Sequence, residues 1–243
     1  MMYTNPVALN IEAHADLKIS PSPNGYGFAA NSLTVMLTVS EFFDAARFYP
    51  IIFSVSPEGQ MVPVVLLGIE ENENLFVDED GRWDAHYIPA YVRRYPFVTS
   101  DGAEGQLTVC FDEAYDGFNL NDGISLFEHG EPTERMQEIQ SFLHDYYQQM
   151  QLTSQFCEVI REKGLLKEIS AQVSLKDGRK FGLNGLQVVD EEKLTQLSDL
   201  ELVSLFRNGM LALIQAHHIS LRNFGLLVDR KSEQVGIRDE DGF

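Results

Sequence analysis

Positive charge is scarce in this chain: 18 Lys and Arg stand against 37 Asp and Glu in 243 residues, a formal net charge of −19. Such a balance repels phosphate backbones and anionic headgroups, which argues against nucleic acid and against membrane surfaces as partners. No window approaches the roughly 20 apolar residues of a membrane span, so no membrane insertion is expected. The first twenty residues lack a basic segment followed by an apolar run, so the expected location is cytoplasmic. Cysteine is nearly absent. Cys110 and Cys157 fall in a predicted strand and a predicted helix without CxxC spacing, so two buried thiols are expected rather than a disulfide. The chain has no Gly-x-Ser-x-Gly elbow, P-loop, Gly-x-Gly-x-x-Gly or His-Glu-x-x-His. These absences weigh against the common hydrolase, nucleotide-binding and zincin classes, and no cofactor is expected.

What is present concentrates in residues 74–97, which hold the only Trp, three Tyr, two Phe and three Arg between turn signals and two prolines. Aromatic rings and guanidinium groups anchor cores and interfaces, so the stretch is either a packing centre or a recognition surface. Trp83, Tyr87, Tyr91 and Phe97 read first as core and second as a pocket, and Tyr95 belongs to the same candidate surface. For Arg93 and Arg94 two readings stand. One is an internal ion pair with Asp80 or Asp84; the other is a clamp for a carboxylate or peptide terminus, using the planar fork that matches a carboxylate.

The sequence offers two metal readings. Asp78-Glu79-Asp80-Gly81 resembles a calcium loop, yet aligning Gly81 with the loop glycine puts Phe76 and Tyr87 at ligand positions, so a tight polar turn is expected. Asp84 and His86, with a third ligand from His129, His144, His217 or His218, would suit non-haem iron or zinc in a metal-dependent enzyme. The commoner reading is a histidine hydrogen-bonded beside aromatic rings. In the His217-His218 pair, about 100° apart on a helix, one ring is expected to pack inward and the other to face solvent.

Local signals give the fold class. Residues 28–37 alternate as a strand. Thr38-Val39-Ser40-Glu41 has capping-box form and opens a helix running to Tyr49. Residues 51–55 and 61–68 flank a Pro-Gly turn as a hairpin, with Pro63 expected at an edge or a strand start. Hairpins are also predicted about 78–81, between 97–100 and 106–112, and between 169–175 and 181–189. Pro89 opens a helical turn that Pro96 closes, and residues 113–130 suit a packed irregular loop. Pro132 at a first helical position and Thr153 or Ser154 as a cap predict two consecutive helices before Gly164. Asp190 caps a short helix, and Ser198-Asp199-Leu200-Glu201 opens a long one through Leu221; the tail after Asp229 is expected to fray. The class is α+β, with antiparallel hairpins and short helices in the N-terminal half and a helix-rich C-terminal half. Residues 1–243 read as one domain, divisible into a mixed part, 1–130, and a helix-rich part, 131–243.

The chain resembles the SapC family nearly end to end. The resemblance rests on Glu41-Phe42-Phe43 with Tyr49-Pro50, on Asp80-Gly81-x-Trp83, and on the continuous block from Tyr87 to Phe97. It continues through Leu126-Phe127, residues 130–133, residues 185–194 and Ala216-His217. It implies a bacterial protein tied to surface-layer production or cell-envelope export, and it brings no catalytic residues. The functional expectation is a non-enzymatic accessory protein that binds a protein or peptide partner, with Arg93 and Arg94 anchoring an anionic group.

Overall fold

Three of the predicted hairpins and the caps at Thr38, Asp190 and Ser198 form as the local signals direct, whereas the elements signalled at residues 78–81, Pro132 and Thr153–Ser154 do not. The computed structural model describes residues 2–56, 59–101, 107–174 and 178–236. The first half runs through Pro6–Ala8 (β1), Lys18–Ile19 (β2), Thr34–Met36 (β3), Phe42–Ala45 (α1), Ile51–Val55 (β4), Met61–Leu66 (β5), Ala90–Arg93 (α2), Phe97–Asp101 (β6) and Leu107–Asp112 (β7). Four two-residue strands follow, Phe118–Asn119 (β8), Ile124–Ser125 (β9), Phe127–Glu128 (β10) and Glu131–Pro132 (β11). The remainder is Glu134–Glu162 (α3), Leu166–Ser174 (β12), Lys180–Val189 (β13), Glu191–Thr195 (α4), Asp199–Arg207 (α5), Met210–Ser220 (α6) and Phe224–Gln234 (α7). The fold is α+β, and no helix among the described residues is long and apolar enough to cross a membrane.

The largest sheet has five antiparallel strands in the order β12-β13-β4-β5-β3. The hairpins β4–β5, β6–β7 and β12–β13 form where the alternation predicts them, although parts of their turns lie outside the described residues. Pro63 does not sit at an edge: β5 lies between β4 and β3. Its carbonyl accepts from Leu37 N at 3.0 Å, so its ring nitrogen faces that same side, one position past Met36 at the end of β3, and only the reciprocal bond to Leu37 O at the end of the ladder goes unmade. The predicted strand over 28–37 shrinks to β3, because residues 27–29 form a 3₁₀ turn. About 78–81 the chain makes a tight loop closed by a single Val77–Trp83 bridge rather than a stranded hairpin.

Three helical expectations are corrected. In place of two helices there is one, α3, of 29 residues. The Thr153 and Ser154 hydroxyls donate back to the carbonyls of Gln149 and Met150, at 2.6 and 3.1 Å, so they do not cap a new helix. The N-cap is Thr133, and Pro132 stands one residue outside it. The long C-terminal helix breaks into α5 and α6 at Gly209, whose φ is +73°. The helix does not end at Asp229: α7 continues to Gln234, and Lys231 is buried between the carboxylates of Glu70 and Glu73, while the rest of the predicted frayed tail, residues 237–243, lies outside the described residues.

Helix α3 serves two apolar clusters. Its first half gives Met136, Ile139 and Leu143 to a cluster with Ile19, Phe97, Phe111, Leu126 and Phe127. Its second half gives Phe156, Cys157 and Ile160 to the larger cluster, which draws residues from Met2 to Leu227. Both cysteines are buried free thiols.

Helix α6 closes the large sheet with a histidine. Val189 N donates to His217 Nε2 at 3.1 Å, so Nδ1 carries the proton and donates to Ile51 O at 2.9 Å. The imidazole thus bridges β13 and β4, whose ladder holds the single register pair Gln187–Phe53. Burial, with His218 adding to it, pushes the His217 pKa down to about 3. His218 does not face solvent as expected; its side chain is 10% exposed and its Nε2 lies 3.0 Å from Val189 O.

Candidate functional site

The site begins with a carboxylate that joins two helices. Glu41 closes the predicted capping box, taking Thr38 N at 2.9 Å and Thr38 Oγ1 at 2.8 Å on one oxygen. Its other oxygen accepts from Tyr87 OH and from Ala90 N, both at 2.7 Å. Glu41 is 5% exposed, and these donors satisfy its charge without a cation. The same residue that starts α1 therefore fixes the N-terminus of α2, and with it the direction of Arg93 and Arg94. Burial and the Glu41 carboxylate push the Tyr87 hydroxyl pKa upward.

The first part of the aromatic stretch turns inward. Trp83 Nε1 donates to Tyr49 OH at 2.8 Å, and Tyr49 OH donates to Tyr87 O. The Trp83 ring packs edge-on to Tyr26 at 5.9 Å and stacks against Phe76 at 6.5 Å. Trp83 and Tyr87 thus belong to an internal network. Tyr95 stacks on Phe28 at 4.1 Å, and its hydroxyl lies 3.3 Å from buried Asp112.

The second part turns outward into a cleft of about 690 Å³, lined by Arg93, Arg94, Tyr95 and Phe97 and by Arg135, Ile139, Phe142 and Leu143 of α3. The expected internal ion pairs are absent, since Asp80 pairs with Arg82 at 2.9 Å and Asp84 with Arg230 at 2.7 Å. Among the described residues neither Arg93 nor Arg94 pairs with a carboxylate. The Arg94 guanidinium instead lies over three tyrosine rings, Tyr91 at 4.2 Å, Tyr146 at 4.8 Å and Tyr3 at 5.6 Å. Its Nε is buried without a hydrogen-bond partner. Ring faces attract a cation but do not satisfy its N–H donors, and an unmet buried donor costs about 1–3 kcal/mol. Burial pushes the Tyr3 hydroxyl up to about 12 against the opposing pull of Arg94. Arg93 is more exposed, donating from Nε to Ile88 O at 2.9 Å and lying over Phe142 at 5.3 Å. Arg135 is paired with Glu138 of its own helix at 3.0 Å. A second hollow, lined by Asp78, Glu79, Asp80 and Asp116, adjoins the cleft across Tyr95 and Tyr115, which line both.

Asp84 and His86 are not brought to a third ligand. Arg230 holds the Asp84 carboxylate and also donates to Asp84 O at 2.8 Å, while its guanidinium lies over Phe76 at 4.3 Å. His86 is exposed, 6.1 Å from the Phe48 ring. His144 is bonded to Gln148, and His217 and His218 are built into the sheet. Among the described residues no group of three or more His, Cys, Asp or Glu is placed to hold a metal ion.

Of the candidate residues, the structure brings Arg93, Arg94 and Tyr95 to one cleft, puts Tyr91 beneath Arg94, and sends Trp83 and Tyr87 inside. The sequence reading missed Tyr3, Tyr146 and Arg135 as members. Tyr146 was legible only as one apolar position of α3, and nothing local to Tyr3 points toward Arg94. No curated protein and no solved structure matches the chain. The family comparison does match, over residues 9–227 of 243, a span that includes the Glu41 carboxylate, the aromatic block and the Arg cleft. The chain belongs to the SapC family.

Proposed function

We propose that this protein is a non-enzymatic cytoplasmic accessory protein that binds a protein or peptide partner, in a role tied to the bacterial surface layer or to cell-envelope export. The observation that carries the binding reading is Arg94, a guanidinium at a cleft wall with a buried Nε that meets no acceptor and no carboxylate to balance it. In a chain of net charge −19, one such cation gives a local anchor while the surrounding field favours a neutral or basic partner. The apolar residues of the cleft add the buried contact that interfaces require. The aspect of envelope export rests on the family resemblance. The test compares tagged wild-type and Arg94→Ala protein, purified gently from the native host and weighed by native mass spectrometry. A stoichiometric polypeptide on the wild type and its loss from a variant with unchanged circular dichroism support the reading. Equal retention by a folded Arg94→Ala protein refutes it. Trp83→Phe, an internal change, is the control that keeps the partner.

A further inference from the structure

We infer that the cleft takes the free C-terminus of a peptide chain whose last side chain is apolar, with Arg94 holding the terminal carboxylate; this rests on the binding role proposed above. Two guanidinium charges without a carboxylate partner among the described residues, Arg93 and Arg94, line the cleft, and Arg94 is the one with an unmet donor. Arg135 is balanced by Glu138, and Arg93 spends its Nε on Ile88 O, whereas Arg94 has neither an acidic partner nor an acceptor for its Nε. A multiply charged ligand such as a phosphate would be opposed by the −19 field of the chain, while a lone carboxylate matches one guanidinium fork.

Beside that charge part of the wall is apolar. Phe97, Ile139, Phe142 and Leu143 line the same cleft as Arg94, as do Ile19 and Ile124. A carboxylate and an apolar side chain carried on one Cα is what the last residue of a chain presents. An internal Asp or Glu would instead bring backbone into the cleft from both directions. The cleft, about 690 Å³, lies in the range of pockets that enclose drug-sized ligands, which suits a chain end rather than a folded surface. Capture of a terminal carboxylate is an established way of recognising peptides. Across Tyr95 and Tyr115, the hollow with Asp78, Glu79, Asp80 and Asp116 offers the next position along the peptide a place for a basic side chain.

The test is fluorescence anisotropy of the full-length protein with N-terminally labelled hexapeptide pools ending in Leu, Ile or Phe, made once as free acids and once as C-terminal amides. The acid pool is expected to bind, and the amides to bind roughly tenfold to hundredfold more weakly, as for loss of a charge-assisted pair. Arg94→Gln should remove that difference. Ile124→Asp, at a side chain 57% exposed on the cleft, should weaken acid binding by about tenfold or more without touching the fold, so the test stands even if Arg94→Gln unfolds. Equal binding of acids and amides overturns this inference and leaves the binding role intact. The same holds if neither pool binds while the wild type still carries a host polypeptide that Arg94→Ala loses. Absence of both peptide binding and a host polypeptide overturns both.

Discussion

His217 makes the stability of the fold depend on pH in a window where little else should. Its ring is fully buried, accepts from Val189 N and donates to Ile51 O, so both nitrogens are used by the neutral form. A proton on Nε2 would displace the Val189 N–H bond and place a charge inside the sheet. In the unfolded chain the ring titrates near 6.5, whereas in the fold its pKa is about 3. The folded value is the lower one, so the unfolded state binds the extra proton; the stability is fully present above pH 6.5 and falls as pH drops toward 3. At 1.36 kcal/mol per unit, acidifying from pH 6.5 to 5 should cost about 2 kcal/mol. The depressed carboxylates of Asp112, Asp190 and Glu201 lose their contributions only nearer the ordinary carboxylate range, below this window. The assay is urea unfolding at pH 7.5 and pH 5.0 for wild type and His217→Gln. The variant should be less stable at pH 7.5, by about 1–3 kcal/mol for an imperfectly replaced buried bond, but flatter with pH. Parallel losses in the two proteins would refute the assignment of the neutral bridging ring.

Other expectations follow from particular residues. Lys231→Met should destabilise by about 3 kcal/mol, near the low end for a broken buried pair because Glu70 is 49% exposed, and Glu73→Gln should cost more than Glu70→Gln in the same urea titration. Gly209→Ala tests the helix break by sign. In a continuous helix it would stabilise by about 1 kcal/mol, whereas at φ +73° it should destabilise by about as much, since its Cβ meets nothing within 4 Å and only the backbone conformation resists it. Burial, with Glu158 adding to it, pushes the Cys157 thiol up to about 12, so a thiol reagent at pH 8 should label it only as fast as the protein unfolds.

The hairpins β4–β5, β6–β7 and β12–β13, the capping boxes at Thr38 and Ser198, the Asp190 cap, the helical turn between Pro89 and Pro96 and the burial of both thiols were legible in the sequence because each depends on residues a few positions apart. The same local logic misread Thr153 and Ser154: a hydroxyl can cap a helix or bond back onto the carbonyl four residues earlier, and the surrounding core decides which. It misread Gly209 as well, since an apolar period can run across a left-handed break. For the site, the sequence singled out the right stretch and the right arginines but could not say which side chains turn inward. That depended on Glu41 holding Tyr87 and Ala90 from 46 and 49 residues away, and on Tyr49 accepting from Trp83. The sequence by itself determined an acidic α+β chain of the SapC family with a dense aromatic and arginine block. Only the tertiary structure decided that Asp80 and Asp84 go to Arg82 and Arg230, leaving Arg94 to Tyr3, Tyr91 and Tyr146. The physical reason is that a charge pairs with whatever the packed helices and loops bring within reach, and sequence separation does not set that distance.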